Sequence, residues 1–327
     1  MNWFNKEELV LVLLCAFPSY VLYVLTGSSL FAVMGLIASC SFIVFYSIRC
    51  DVFNLVLHLL QVLVCSLSLY WARHDAYLFA ICASIICSFY IGFSRGDKKL
   101  ITYGTFVMVP ALYVANELYR QVDSGHEQVL YKYILYFPLL ALPTLIFATG
   151  LSYLDKRPLL RFDKLWQFDS NINKVVETWL TAVAVFFSVG LTILIAEYYS
   201  IGHYEWIVWS AVSVSTGESI AMKKKVKHRI LGTIVAVGFA CTLSYHSIEY
   251  EFLGFLSVLL IPATVTLNNY FFAFTLRSFL TVFAASSIDF SVEKLVAVIS
   301  GCIIGYSLAL FMAQVHNKWM NEKKVQQ

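Results

Sequence analysis

One arginine stands in the run "YFFAFTLRSFLTVF", residues 270–283, with aromatic and aliphatic side chains on both sides of it. Placing a guanidinium at the centre of a membrane helix costs about 2.5–3.5 kcal/mol, so Arg277 needs a compensating partner. If it turns toward an interior, its planar fork can hold an organic anion by charge-assisted hydrogen bonds. If it turns outward, its stem lets the charge snorkel to the membrane surface. A second charged stretch, "KKKVKHR" at residues 223–229, sets four lysines, a histidine and Arg229 side by side. Lys223, Lys224, Lys225 and Lys227 read as an anchor in a turn at the cytoplasmic end of a helical hairpin. The cluster is too short to point to a nucleic-acid partner. Arg229 differs from them, because its fork can cap carbonyls of the preceding helix or line the inner mouth of a solute path. Gly232 and Gly238 follow it, and glycines let helices approach closely in lipid.

Other polar groups inside apolar runs offer proton chemistry. His58 and Gln61 lie three apart in "LVLHLLQVLV" and share a helical face, where they could bind a solute, pass a proton or satisfy each other between helices. Glu117 and Glu197 near outer helix ends, and Glu218 one turn before the lysines, are candidates for proton coupling. A transporter driven by the proton gradient needs a carboxylate that titrates within its path. His203 and Trp206 could shape an outer vestibule; the alternatives are a solvated loop position and an interfacial anchor. The eight cysteines sit in or beside apolar runs without a CxxC pair or a His at ligand spacing, so neither a metal site nor a disulfide framework is implied. No Walker A, GxGxxG, GxSxG or HExxH stretch appears, and no cofactor or enzyme chemistry is indicated.

The elements that must position these groups are membrane helices. Hydrophobic residues make up 60% of the 327 and charged ones 13%, against about a quarter charged in a soluble domain. Apolar stretches long enough to cross a hydrocarbon core of about 30 Å recur from end to end. They predict an all-α integral membrane protein of about twelve spans: 8–25, 29–47, 55–71, 76–93, 100–120, 130–152, 178–199, 205–222, 230–246, 252–267, 270–288 and 294–314. The first reads as a retained span and not a removable signal. With both termini cytoplasmic, most Lys and Arg fall on the inner side, while Arg73, Arg120, Lys132 and Lys294 fall outside. Trp71, Trp206 and Trp209 would mark the outer interface, and Trp3, Trp166, Trp179 and Trp319 the inner one. Residues 153–177 form a polar cytoplasmic linker between membrane halves at 1–152 and 178–327. A faint similarity at an offset of 175 pairs Gly27 with Gly202, Phe31 with Trp206, Arg49 with Lys224 and Tyr70 with Tyr245. Even-numbered halves would be parallel six-helix repeats, with a solute path between them.

The stretch "GHYEWIVWSAVSVSTGESIAMKKKVKHRILGTIVAVG", residues 202–238, resembles the repeat unit of the fusaric acid resistance and aromatic acid exporter superfamily, the FUSC-like membrane proteins. His203, Tyr204 and Trp206 stand at the entry of one helix, and Arg229, Gly232 and Thr233 open the next. "EKLVAVISGCIIG" resembles the superfamily's last-helix pattern, with Lys294 seven residues before Gly301. Ser215 and Thr216 replace a usual proline, Ala297 and Val298 replace Asp-Thr, and the large cytoplasmic domain of many relatives is absent. The resemblance implies an inner (plasma) membrane transporter that exports an aromatic carboxylate, a related toxic metabolite or a siderophore on the proton gradient. The alternatives are a passive organic-anion channel, and a non-transporting scaffold or accessory subunit of an export or biosynthetic complex. Its partners would be the organic anion and the lipid bilayer, with a homodimer or export subunits as further candidates.

Overall fold

The computed structural model describes residues 6–90, 94, 98–125, 128–154, 172–216, 219–246, 260–267, 269–285 and 287–325. Among them the N-terminal half holds α1 (Lys6–Thr26), α2 (Ser29–Ile48), α3 (Val52–Ala72), α4 (Ala76–Tyr90), α5 (Lys98–Asp123) and α6 (Val129–Leu154). The C-terminal half holds α7 (Ile172–Tyr198), α8 (Tyr204–Ser215), α9 (Ser219–His246), a 3-10 turn at Pro262–Thr266, α10 (Tyr270–Ala285) and α11 (Ile288–Val325). Seven of these, α1, α2, α3, α6, α7, α9 and α11, are long and apolar enough to cross a membrane. The chain is an all-α, multi-pass membrane protein, as lipid demands of a backbone that must satisfy its own hydrogen bonds.

Hydrophobic runs become helices here, and turn chemistry ends them. Arg49 ends α2 in the left-handed region at φ 58°, its N–H donating to the Phe45 carbonyl at 2.9 Å. Two residues on, the Asp51 carboxylate accepts the Asn54 N–H at 2.8 Å and caps α3. Asp75 caps α4 in the same way through the Leu78 N–H, also at 2.8 Å.

The helices sort by what surrounds them. In α2, 72% of the apolar stretch is buried against protein, and in α1 and α6 only 28%, so α2 is central and the others face lipid. Exposed Leu135, Leu139, Leu142 and Ile146 run as such a stripe on α6. Helix α5 is not apolar enough to qualify as a span, although Tyr103, Val107, Met108, Ala111 and Ala115 are all fully buried on it. Helices α2, α3, α4, α6 and α8 pack around it, and a helix screened from lipid by its neighbours can carry Asn116, Glu117 and Gln121. The halves meet where α7 packs on α4, α8 on α5, and the 3-10 turn on α1 and α2.

Several expected boundaries move. The span placed at 205–222 ends at Ser215, giving a helix of 12 residues, about 18 Å, too short to cross. The Ser215 hydroxyl turns back to the Val212 carbonyl at 3.1 Å, a bond that competes with continuing the helix. Nearly all of α8 is buried, which makes it an internal strut. The basic stretch 223–229 is therefore no interhelical turn: it is helical, in the first turns of α9. Lys225 there donates to the Ser213 carbonyl at 3.2 Å and caps the end of α8. At the other end of the C-terminal half, α11 starts at Ile288 and not at 294, which moves Lys294 from a loop into the second helical turn. The span placed at 252–267 lies mostly outside the described residues, and its described end is the 3-10 turn. Most of the linker, 155–171, also lies outside them, and α7 begins at Ile172, ahead of the expected 178.

Glycines set the tightest crossing. A Cβ on Gly301 or Gly305 would collide with the Ile207 or Ala211 carbonyl, so this Gly-x-x-x-Gly face seats α11 directly on the backbone of α8. Gly232 likewise leaves room for Thr275 and Phe274 of α10, whereas Gly238 meets nothing.

Candidate functional site

Between the two halves lies a cavity of about 240 Å³. The N-terminal half contributes Tyr20, Cys40, Phe106 and Tyr113 to its wall, and the C-terminal half contributes Trp206, Trp209, Ser210 and Phe274 together with three cations, Arg229, Arg277 and Lys294. The wall is mainly aromatic and aliphatic, so these three charges dominate its electrostatics.

Each cation is fixed by neutral partners. Arg229, only 2% exposed, donates from Nε to the Tyr270 hydroxyl at 2.8 Å and from Nη1 to the Ser210 hydroxyl at 3.1 Å. Its guanidinium carbon sits 4.7 Å from the Phe274 ring centroid and 5.6 Å from that of Trp209. Arg277 donates from Nε to the Thr264 Oγ1 at 2.9 Å, and that hydroxyl in turn donates to the Ile261 carbonyl at 2.7 Å. Lys294, 7% exposed, places Nζ 3.9 Å from the centre of the Trp206 ring. Among the described residues none of the three forms an ion pair with a carboxylate. A guanidinium has five N–H donors, and these contacts occupy two on Arg229 and one on Arg277.

One buried carboxylate stands beside this set. Glu205, 3% exposed, accepts from the Asn116 Nδ2 at 3.0 Å and lies 3.0 Å from the His203 Nδ1. The His203 ring stacks on Trp206 at 4.5 Å and 15°, and its backbone N–H donates to the Glu293 carboxylate at 2.8 Å. These contacts tie α5, α8 and α11 together at one end of the cavity.

The structure gathers some of the sequence candidates here and disperses others. Arg277, Arg229 and Trp206 line the cavity, and His203 stands one ring behind it. Trp206, at 3% exposed, is no interfacial anchor, whereas Trp71 and Trp179 are exposed. Arg229 reaches a side chain of α8 and a tyrosine of α10, and leaves the capping of α8 to Lys225. Thr233 returns its hydroxyl to the Arg229 carbonyl at 2.8 Å, and Gly232 and Gly301 are packing positions.

His58 and Gln61 do not line the cavity. His58 Nδ1 lies 3.2 Å from the Ser41 hydroxyl and Gln61 accepts from the Tyr103 hydroxyl at 2.8 Å, inside the N-terminal half. Glu117 accepts from Gln121 at 2.6 Å and from Ser29, and Glu197 pairs with Arg73 at 3.0 Å; neither reaches the wall. Glu218 lies outside the described residues.

Sequence reasoning passed over Ser210, Tyr270 and Thr264, whose hydroxyls aim the two guanidiniums, and Glu205, the carboxylate of the group. Lys294 stood out in the sequence by its step to Gly301 and as an outer-side cation, and not as a wall residue. The seven-residue step from Lys294 to Gly301 was a usable signal, because two helical turns put both on one face. Gly301 seats that face on α8, so Lys294 must meet α8 as well, and it does so at Trp206.

The arrangement can hold an anion by charge and its body by aromatic contact, on surfaces supplied by both halves. Residues 191–316 match the family model described as fusaric acid resistance protein-like. No curated protein and no solved structure matches the chain. The matched stretch runs from the end of α7 into α11 and contains all three cavity cations, the Glu205 carboxylate and the Gly301 crossing. Residues 191–316 of this membrane protein are thus similar to the fusaric acid resistance protein-like family.

Proposed function

We propose that the chain is a transporter that moves an organic anion, of the aromatic carboxylate class, out of the cytoplasm across the inner membrane. One observation carries this reading: three cations without a carboxylate partner among the described residues share an aromatic-walled cavity between the two halves of the molecule. A charge kept in a membrane interior without an opposite charge is costly, and binding an anion there offsets the cost. The matched family's name joins it to resistance against an organic acid, which agrees with export.

The energy source divides two readings. A proton-driven exporter needs a titrating carboxylate near its ligand, and Glu205, held by Asn116 and His203 and next in the chain to the wall residue Trp206, is the candidate. The second reading is a passive channel or uniporter, favoured because Glu117 and Glu197 stand away from the wall. An inside-negative potential alone drives a monovalent anion outward by about 2.3 kcal/mol per 100 mV.

The test is efflux of radiolabelled benzoate from liposomes carrying the purified protein. Protein-dependent efflux that Arg277→Gln abolishes is the expected result. Efflux no faster than from empty liposomes, or unchanged by Arg277→Gln, sinks the transporter reading. Release on a potassium-diffusion potential with equal pH on both sides selects the uniport reading, and release only under a pH gradient selects proton coupling.

A further inference from the structure

We infer that the three wall cations have unequal roles: Arg277 takes the ligand's acidic group end-on through both Nη nitrogens, and Thr264 is the positioning residue that aims it. The inference rests on the organic-anion reading above and names the residues that hold that anion.

Enclosure separates the cations first. Arg229 borders the cavity yet is 2% exposed, and Lys294 is 7% exposed with its Nζ over the Trp206 ring. Arg277 borders the same volume and is only half-buried. A ligand meets a side chain through the surface it shows, and of the three Arg277 shows the most.

Hydrogen bonding then separates the two guanidiniums. A planar oxyanion is held bidentately by two nitrogens of one guanidinium, either the two Nη or Nε with one Nη. On Arg229 the Tyr270 hydroxyl takes Nε and the Ser210 hydroxyl takes Nη1. Either edge therefore includes a nitrogen already bonded to protein. The Phe274 and Trp209 ring centroids lie 4.7 and 5.6 Å from the same guanidinium carbon. Arg229 thus acts as a post that ties α8 and α10 to α9. On Arg277 the protein takes Nε, and neither Nη has a hydrogen-bond partner among the described residues. Its end-on edge is whole.

Thr264 decides where that edge points. Its hydroxyl donates to the Ile261 carbonyl at 2.7 Å, so the oxygen has only lone pairs left for Arg277 and accepts from Nε at 2.9 Å. Thr264 is 2% exposed, and Thr266 tightens the same 3-10 turn by donating to the Ala263 carbonyl at 2.8 Å. The guanidinium is rigid and planar, so fixing Nε fixes the direction of the Nη pair. The turn packs on α1 and α2 as well as on α10, which means that the aim of the fork is set where the two halves meet.

The experiment is calorimetric titration of benzoate into the detergent-solubilised full chain and its variants. Thr264→Val, close in shape but without an acceptor for Nε, is expected to weaken benzoate about tenfold, and Thr264→Ser to stay within about twofold of the unaltered chain. Arg277→Lys keeps the charge, loses the fork and should also weaken it about tenfold. On the Arg277→Lys background, Thr264→Val should cost at most about twofold more, because an ammonium has no Nε to aim. A residue that merely stabilised the turn would cost the same on both backgrounds. Tyr270→Phe, which strips the acceptor from Nε of Arg229, should cost about threefold or less. Thr264→Val within about twofold of the unaltered chain, or its loss persisting in full on the Arg277→Lys background, overturns the inference and leaves the organic-anion reading standing. Tyr270→Phe costing more than Arg277→Lys overturns it as well, a comparison independent of how the Thr264 variants fold. Absence of benzoate binding by the unaltered chain removes the organic-anion reading itself.

Discussion

Among α2, α3, α5 and α6, buried polar groups answer one another: His58 meets Ser41, Gln61 takes the Tyr103 hydroxyl, and Ser66 lies 2.8 Å from the Tyr133 hydroxyl. Around the cavity, buried polar groups share a sign, and the groups that hold them are neutral. Both regions put costly side chains out of water. In the first, each of these side chains finds a neutral hydrogen-bonding partner inside the protein. The second leaves two guanidiniums and an ammonium facing open volume. Burial of a polar residue in a membrane helix therefore marks a site less well than uncompensated charge does, because neutral groups need only one neighbour while a charge needs an opposite charge.

The contrast can be broken by experiment. Its largest expected effect is on Arg277→Gln, which should weaken binding of an aromatic carboxylate about ten- to a hundredfold, the loss of a charge-assisted contact of about 1.5–3 kcal/mol. Binding unchanged in that variant would remove the distinction between the two regions. Next comes Gly301→Leu, whose side chain would meet the Ile207 carbonyl and push α11 from α8. A loss toward the upper end of about 1–3 kcal/mol in detergent unfolding is expected, with binding lost alongside it because Lys294 rides on the same face. His58→Leu sharpens the other side: stability should drop by about 1 kcal/mol as Ser41 loses its partner, while carboxylate affinity stays within about twofold. A tenfold affinity change there would make the N-terminal network part of the site. The smallest effect belongs to Glu197→Gln, where the partner of Arg73 is 47% exposed and the pair should contribute under about 1 kcal/mol to stability.

How far the chain could be read in advance follows from what each signal depends on. Arg277 stood out because it breaks an apolar run, and the step from Lys294 to Gly301 recorded a helix face. The lysines of 223–229 misled because a cluster of charge between apolar runs resembles a turn, whereas they start a helix whose Lys225 caps its predecessor. Trp206 misled because tryptophan suits a membrane interface as well as a stacked interior, and only its neighbours His203, Phe290 and Lys294 decide between them. Glu117 and Glu197 drew notice as acids near helix ends, yet their partners Ser29, Gln121 and Arg73 come from elsewhere in the chain.

By itself, the sequence determined that this is a helical membrane protein and that it pays to bury an arginine. Those features follow from local facts, since lipid forces each apolar segment to satisfy its own backbone hydrogen bonds. Which charges face one cavity, which acids stand apart from it and which tryptophan lies inside were decided only by the tertiary structure. Electrostatic fields act through space, and residues on α8, α9, α10 and α11 acquire a common field only once the Gly301 crossing and the hydroxyls of Ser210, Tyr270 and Thr264 have set them around the same volume.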